Sequence, residues 1–105
     1  MQGNPTERYY TTMAQTNRFQ GVARTVSTVA GVKRYTYHST AVVQVNPDGS
    51  IVLDSGGWKT ATTKTAMNQA SNQDKLGFQV FARRGGWFVT WKGRELEFES
   101  GMRLS

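Results

Sequence analysis

The sequence predicts an α+β fold, in which one short helix packs on an antiparallel sheet made of a hairpin and a C-terminal meander. Runs of β-branched and aromatic residues alternate with turn signals, which is typical of strands. Residues 61–76 instead carry their apolar side chains at helical spacing. The order hairpin, helix, meander gives the α+β class, and a chain of 105 residues has room for one such core.

The N-terminal part of the chain is the least regular. Residues 1–17 are polar and rich in Thr, Gln and Asn, so we predict a flexible arm followed by a single domain over residues 18–105. Residues 19–29, FQGVARTVSTV, favour a strand because valines are interleaved with Thr and Ser. A helix over residues 22–30 stays open as the alternative.

A hairpin is the clearest structural prediction. Residues 32–45, VKRYTYHSTAVVQV, supply one long strand or two consecutive strands. The turn signal Asn-Pro-Asp-Gly follows at 46–49, because Pro presets φ of the first turn residue and Gly accepts a positive φ. Residues 51–53, IVL, then return as the partner strand.

The helix and the meander follow the hairpin. The helix is expected to begin after Thr60 or Thr62, to run to about Leu76 and to end at Gly77. Its thin apolar stripe consists of Ala66, Met67, Ala70 and Leu76. The side chains expected to face outward or towards a ligand are Asn68, Gln69, Asn72 and Gln73. The segments FQVFARR, WFVTW, ELEFE and MRL, separated by Gly-Gly and Lys-Gly turns, predict the meander.

The composition favours a phosphate-bearing partner. Thirteen Lys and Arg against seven Asp and Glu give a net charge of +6, which raises the local concentration of anions. With no cysteine and no signal-peptide or membrane-spanning run, the chain is expected in the cytoplasm, without a membrane partner.

The stretch DSGGWKTATTK, residues 54–64, is the strongest candidate site. It links a strand to a helix start, where backbone N–H groups and the positive end of the helix dipole attract an anion. We predict a phosphate cradle formed by Ser55, Gly56, Gly57, Lys59, Thr60, Thr62, Thr63 and Lys64. The stretch is not a Walker loop, because the spacing differs. The alternative is a capped β-to-α turn in which Trp58 fills the core and the lysines are solvated.

Two further clusters combine positive charge with aromatic rings, a pattern that suits base stacking beside backbone neutralisation. One consists of Lys33, Arg34, Tyr35, Tyr37 and His38 in the hairpin, and the other contains Arg83 and Arg84 in the meander. Trp58 in the loop is a further candidate for stacking. Ordinary sheet composition would also produce the hairpin cluster. We expect Tyr35, Tyr37 and Trp58 to stack on a base, and one arginine to reach the cradle.

Enzyme chemistry is not expected. His38 is the only histidine and there is no cysteine, so the chain lacks the usual ligands for a metal site. A Ser55–His38–Asp54 hydrolase can be written down, but Asp54 and Ser55 are adjacent and point apart, and the G-x-S-x-G elbow is absent. We therefore predict a binding protein with no catalytic residue, no metal and no cofactor.

Several short strings give the chain a resemblance to a family of small bacteriophage proteins. They are YHST at 37–40, SGGW at 55–58, TTK at 62–64 and MNQ at 67–69, followed by an aromatic meander. The resemblance covers roughly residues 37 to 98 and implies a phage or prophage origin and a single small domain. It implies no activity. Thr65 and Ala66 depart from the family, in which Arg or Lys stands near the helix start.

The sequence leaves three functions open. The leading hypothesis is binding of nucleic acid or a nucleotide through the phosphate cradle. The second is inhibition of a host defence or metabolic protein, by protein contact or by sequestering a nucleotide, in the host cytoplasm and with a homo-oligomer expected. The third is a minor virion or assembly protein, which the Thr-rich arm would suit.

Overall fold

The computed structural model of the chain describes residues 17–105. The predicted N-terminal arm therefore lies, apart from Asn17, outside the described residues. The described part contains one helix and two antiparallel sheets, which confirms the α+β class. The elements are β1 (Arg24–Val29), β2 (Val32–Tyr37), β3 (Thr40–Val45), β4 (Ile51–Leu53), α1 (Ala61–Asp74), β5 (Phe78–Arg83), β6 (Gly86–Trp91), β7 (Arg94–Glu97) and β8 (Met102–Leu104).

The first sheet has five strands in the order β1-β2-β3-β4-β8. The Asn-Pro-Asp-Gly turn forms as predicted: the Gly49 N–H donates to the Asn46 carbonyl at 2.9 Å, and Val45 pairs with Ile51. Residues 32–45 form two strands rather than one, because the chain turns at His38, whose φ is +58°. The helix alternative for residues 22–30 is wrong, since β1 pairs with β2 along its whole length.

The second sheet has three strands in the order β5-β6-β7. Its first turn is centred on Arg84 and Gly85, one residue earlier than the predicted Gly-Gly, because Arg83 pairs with Gly86. The prediction of one continuous sheet is wrong. The last strand, β8, does not continue the meander but pairs with β4 of the first sheet.

Helix α1 begins where the sequence predicts and ends slightly earlier. Thr60 is its N-cap, and the Thr60 side chain accepts a hydrogen bond of 3.2 Å from the Thr63 N–H. The helix ends at Asp74, because Lys75 adopts the left-handed conformation that the sequence assigned to Gly77. Ala66, Met67 and Ala70 are fully buried, whereas Leu76 lies beyond the helix and packs against the core from there.

The polar residues of α1 bond to the edge of the second sheet. Asn68 accepts a hydrogen bond of 2.7 Å from the Val80 N–H and donates one of 2.9 Å to the Val80 carbonyl. Ser71 similarly accepts from the Phe78 N–H and donates to the Phe78 carbonyl. Two side chains thus provide the hydrogen bonds that a neighbouring strand would give to β5, which explains why so polar a helix is nevertheless held tightly.

One apolar core joins the helix to both sheets. Its members include Tyr35, Val43 and Leu53 from the first sheet and Val80 and Val89 from the second. A polar contact closes its rim: the Asp74 carboxylate accepts hydrogen bonds from Lys33 and from the Tyr35 hydroxyl. Partial burial of Asp74 opposes ionisation, but these hydrogen bonds and the Lys33 charge still lower its pKa.

A candidate ligand cavity between β2, β3 and the start of α1

A cavity of about 350 Å³ opens between the tip of the β2–β3 hairpin and the loop that leads into α1. The hairpin contributes the rings of Tyr37 and His38. The loop and the first turn of α1 contribute one indole and a group of hydroxyls. The full lining is Tyr37, His38, Thr40, Val42, Ser55, Trp58, Thr60, Thr62 and Thr63.

Trp58 is the most informative of these residues. It retains 69% of its surface exposed, so the alternative in which it fills the core is wrong. Exposure of the apolar indole surface to water is unfavourable, and a ligand stacked on the ring would remove that surface from water. The hairpin wall is also aromatic, because the Tyr37 and His38 rings lie 4.4 Å apart at 59°. The Arg24 guanidinium lies 4.7 Å from the centre of the Tyr37 ring, and this cation–π contact helps to hold the ring in place.

Hydroxyl groups form a connected network at the helix start. The Thr60 hydroxyl lies 3.1 Å from the Thr62 hydroxyl and 3.0 Å from the Thr63 hydroxyl. Each hydroxyl has one donor and two acceptor positions, so this network retains capacity for a ligand. The helix has no acidic residue in its first turn, so nothing in that turn offsets the positive end of its dipole.

The glycine loop is shaped by its own carboxylate. Asp54 accepts hydrogen bonds of 2.7 Å from the Gly56 N–H and from the Ser100 hydroxyl. Ser55 is buried, and its N–H donates to the Ser100 hydroxyl at 3.1 Å. Two of the N–H groups assigned to the phosphate cradle are therefore bonded within the protein, and a negative charge stands where the phosphate was expected.

The predicted site residues at the hairpin tip, the loop and the helix start separate into two groups. Those that line the cavity are Tyr37, His38, Ser55, Trp58, Thr60, Thr62 and Thr63. Gly56, Gly57, Lys59 and Lys64 belong to the same loop and helix start but do not line the cavity. The lining contains no Asp, Glu, Lys or Arg side chain.

The remaining predicted residues are engaged elsewhere. Tyr35 is fully buried, so the expectation that it stacks on a base is wrong, and burial is the first cause that raises the pKa of its hydroxyl. Lys33 forms an ion pair with Asp74, and Arg34 donates to Gln44 at 3.2 Å. Arg83 is paired with Glu95 on the second sheet. Neither it nor Arg84 lines the cavity, so no arginine of that pair reaches the cradle.

Sequence reasoning missed Thr40 and Val42 in the cavity wall. Thr40 has a sequence signal, since it ends the YHST string at 37–40. In the structure Gly56 packs directly against it, and a Cβ on Gly56 would overlap the Thr40 hydroxyl. Val42 carries no such signal, because a bulge in β3 turns both Val42 and Val43 into buried positions.

Within residues 17–105, no group of three or more His, Cys, Asp or Glu side chains could hold a metal ion. In that same part of the chain, no helix has the length and apolar character to cross a membrane.

The fold and the cavity define a small α+β protein with a cavity lined by rings and hydroxyl groups. The chain belongs to a family of phage proteins, the Kyanoviridae Gp96 protein family, whose model matches residues 6–105. This confirms the resemblance to phage proteins and extends it well beyond residues 37–98. No curated protein and no solved structure matches the chain.

Proposed function

We propose that this phage protein binds an unpaired nucleobase in the cavity between Trp58 and Tyr37, the base belonging either to single-stranded nucleic acid or to a nucleotide. The observation that carries the proposal is the exposed indole of Trp58 at a cavity that the Tyr37 and His38 rings also line. Base–aromatic stacking contributes roughly 1–3 kcal/mol per base.

The chemistry of the lining supports a base more than a phosphate. A volume of about 350 Å³ lies in the range of small-ligand pockets, which is about 300–1,000 Å³. Threonine and serine hydroxyls both donate and accept, so they can bond to the polar edge of a heterocycle. The Asp54 carboxylate disfavours phosphate in the glycine loop, so the proposed phosphate position is outside the cavity, near the exposed Lys59.

The net charge of +6 supports the same proposal on a larger scale. It attracts a polyanion from a distance without specifying which atoms are bound. A paired base cannot enter a pocket of this kind, so single strands are expected to bind better than duplexes. The host cytoplasm, where phage nucleic acid and nucleotides are found, is the proposed location.

The test is titration of the protein with single-stranded DNA, RNA, duplex DNA and a panel of nucleotides, by fluorescence anisotropy and calorimetry at low and high salt. Trp58→Ala is expected to weaken binding roughly tenfold or more, and Trp58→Phe to weaken it less because a ring remains. Because Trp58 is exposed, neither change should reduce stability appreciably.

Lys59→Ala and Lys64→Ala separate the two sources of the base. They should weaken polymer binding and reduce its salt dependence by about one ion per lysine, with little effect on a nucleoside. Equal binding by Trp58→Ala and the unchanged protein would refute the proposal. The host-inhibitor and virion hypotheses would then lead.

A further inference from the structure

We propose that β1 is a pairing edge at which two copies of the chain join their five-stranded sheets into one. No residue of β1 lines the cavity, and the inference does not depend on the proposed function. The inference begins with exposure. Five of the six residues of β1 are exposed, so within residues 17–105 neither face of the strand is covered. Val22, Val26 and Val29, exposed by 84%, 42% and 63%, lie in or beside it.

The other sheet edges carry recognised forms of protection. Asn68 and Ser71 bond to the backbone of β5. The sequence of β7, RELE, places a charge at three of its four positions, and β8 has only three residues. Short, charged or covered edges resist strand addition. Among the edges in residues 17–105, β1 alone is long, β-branched and free of Pro, Lys and bulges.

The register of β1 shows which backbone groups are open. The His38 N–H donates to the Ala23 carbonyl at 2.8 Å, so Ala23 occupies a bonded position of the β1–β2 ladder. Because bonded and non-bonded positions alternate in an antiparallel pair, Arg24, Val26 and Thr28 direct their N–H and C=O groups away from β2. These three residues form the free edge.

The free edge is complementary to itself. In a two-fold antiparallel pairing centred on Val26, that residue meets Val26 of the partner subunit, and Arg24 meets Thr28 of the partner subunit. No like charges face each other, and an apolar contact lies on the axis. The positive groups nearby are already engaged: Arg24 donates to Gln69 at 2.7 Å, and Lys33 is paired with Asp74. A second copy of this chain is therefore the occupant that fits.

The experiment compares Val26→Lys with Thr90→Lys. Val26→Lys places two like charges at the centre of the pairing, whereas Thr90→Lys adds the same charge at an exposed position of β6. Sedimentation equilibrium of the full chain should give a concentration-dependent dimer, weakened about tenfold or more by Val26→Lys and unchanged by Thr90→Lys. Val26→Pro, which removes an outward N–H without breaking the β1–β2 ladder, should act like Val26→Lys.

Three results would overturn the inference. One is a monomer at every concentration up to about 1 mM, a limit weaker than specific interfaces reach. Another is a dimer that Val26→Lys and Thr90→Lys weaken equally. The third is a monomer in which the Arg24, Val26 and Thr28 amides are protected from hydrogen exchange, because another part of the same chain would then cover the strand.

Discussion

At the scale of single residues, Gly56 connects the stability of the loop with the shape of the cavity. Its φ is +65°, and its Cα lies so close to Thr40 that a side chain there has no room. Gly57 shares the left-handed conformation, with φ of +85°, but a Cβ there would meet nothing within 4 Å. The main difference between the two glycines is therefore the space that is open to an added Cβ.

We predict that Gly56→Ala is more destabilising than Gly57→Ala. Both changes place an alanine at positive φ, which costs roughly 1 kcal/mol, and Gly56→Ala adds steric overlap of roughly 1–3 kcal/mol. Chemical denaturation measures both. Because Thr40 lines the cavity, Gly56→Ala should also weaken ligand binding, while Gly57→Ala should not. Equal losses of stability would mean that Thr40 moves aside freely.

The same scale shows how far the sequence could predict the candidate site. Tyr37, His38, Trp58 and the threonines were recognisable because rings and hydroxyls cluster near a helix start. The exposure of Trp58 was not, since burial depends on where distant strands pack. The bond from the Ser55 N–H to the Ser100 hydroxyl could not be predicted either, because Ser100 lies 45 positions along the chain and reaches the loop only in the folded state.

At the scale of elements, the position of α1 depends on polar side chains as much as on apolar ones. Asn68 bonds to both backbone groups of Val80, while Asn72, one turn later, accepts from the exposed Gln79 side chain at 2.7 Å. The first contact seals a sheet edge, and the second lies on the surface.

We predict that Asn68→Asp destabilises the protein by about 1–3 kcal/mol, because a carboxylate cannot donate to the Val80 carbonyl and repels it. Asn72→Asp makes the same chemical change on the same helix and should cost less than about 0.5 kcal/mol, which is typical of surface substitutions. Thermal and urea unfolding would give the comparison. A similar loss for both variants would contradict the role given to Asn68.

Local elements could be predicted from sequence because their signals are local. The Asn-Pro-Asp-Gly turn and the Thr60 cap each act within a few residues. The two-sheet arrangement could not be predicted, because β8 pairs with β4 about fifty residues earlier in the chain. The polar face of α1 was ambiguous as well: Asn68 and Ser71 look solvated unless the edge of β5 is known to lie beside them.

At the scale of the whole molecule, β8 links the two sheets. The chain leaves β7 and crosses to the first sheet, where Leu104 is 1% exposed. Just after β8, the Ser105 carbonyl accepts a hydrogen bond of 3.2 Å from the Trp91 indole of the second sheet. The last few residues therefore hold together parts that are distant in sequence.

We predict that Leu104→Ala lowers the free energy of unfolding by about 2–5 kcal/mol, as expected for truncation of a buried leucine. Arg103→Ala, on the same strand but exposed and paired with Asp48 at the surface, should cost less than about 1 kcal/mol. Unfolding followed by Trp fluorescence and by circular dichroism would test both. A loss below about 1 kcal/mol for Leu104→Ala would mean that β8 is dispensable.

The contrast between β1 and the protected edges also limits how large an assembly can grow. Subunits with two open strand edges can add to one another without limit and form a fibre. With one open edge per subunit, assembly ends when two edges have paired. Within residues 17–105, one edge is open, so a second copy added there leaves no further strand to extend. Growth through the sheet edges of residues 17–105 is therefore expected to stop at two subunits.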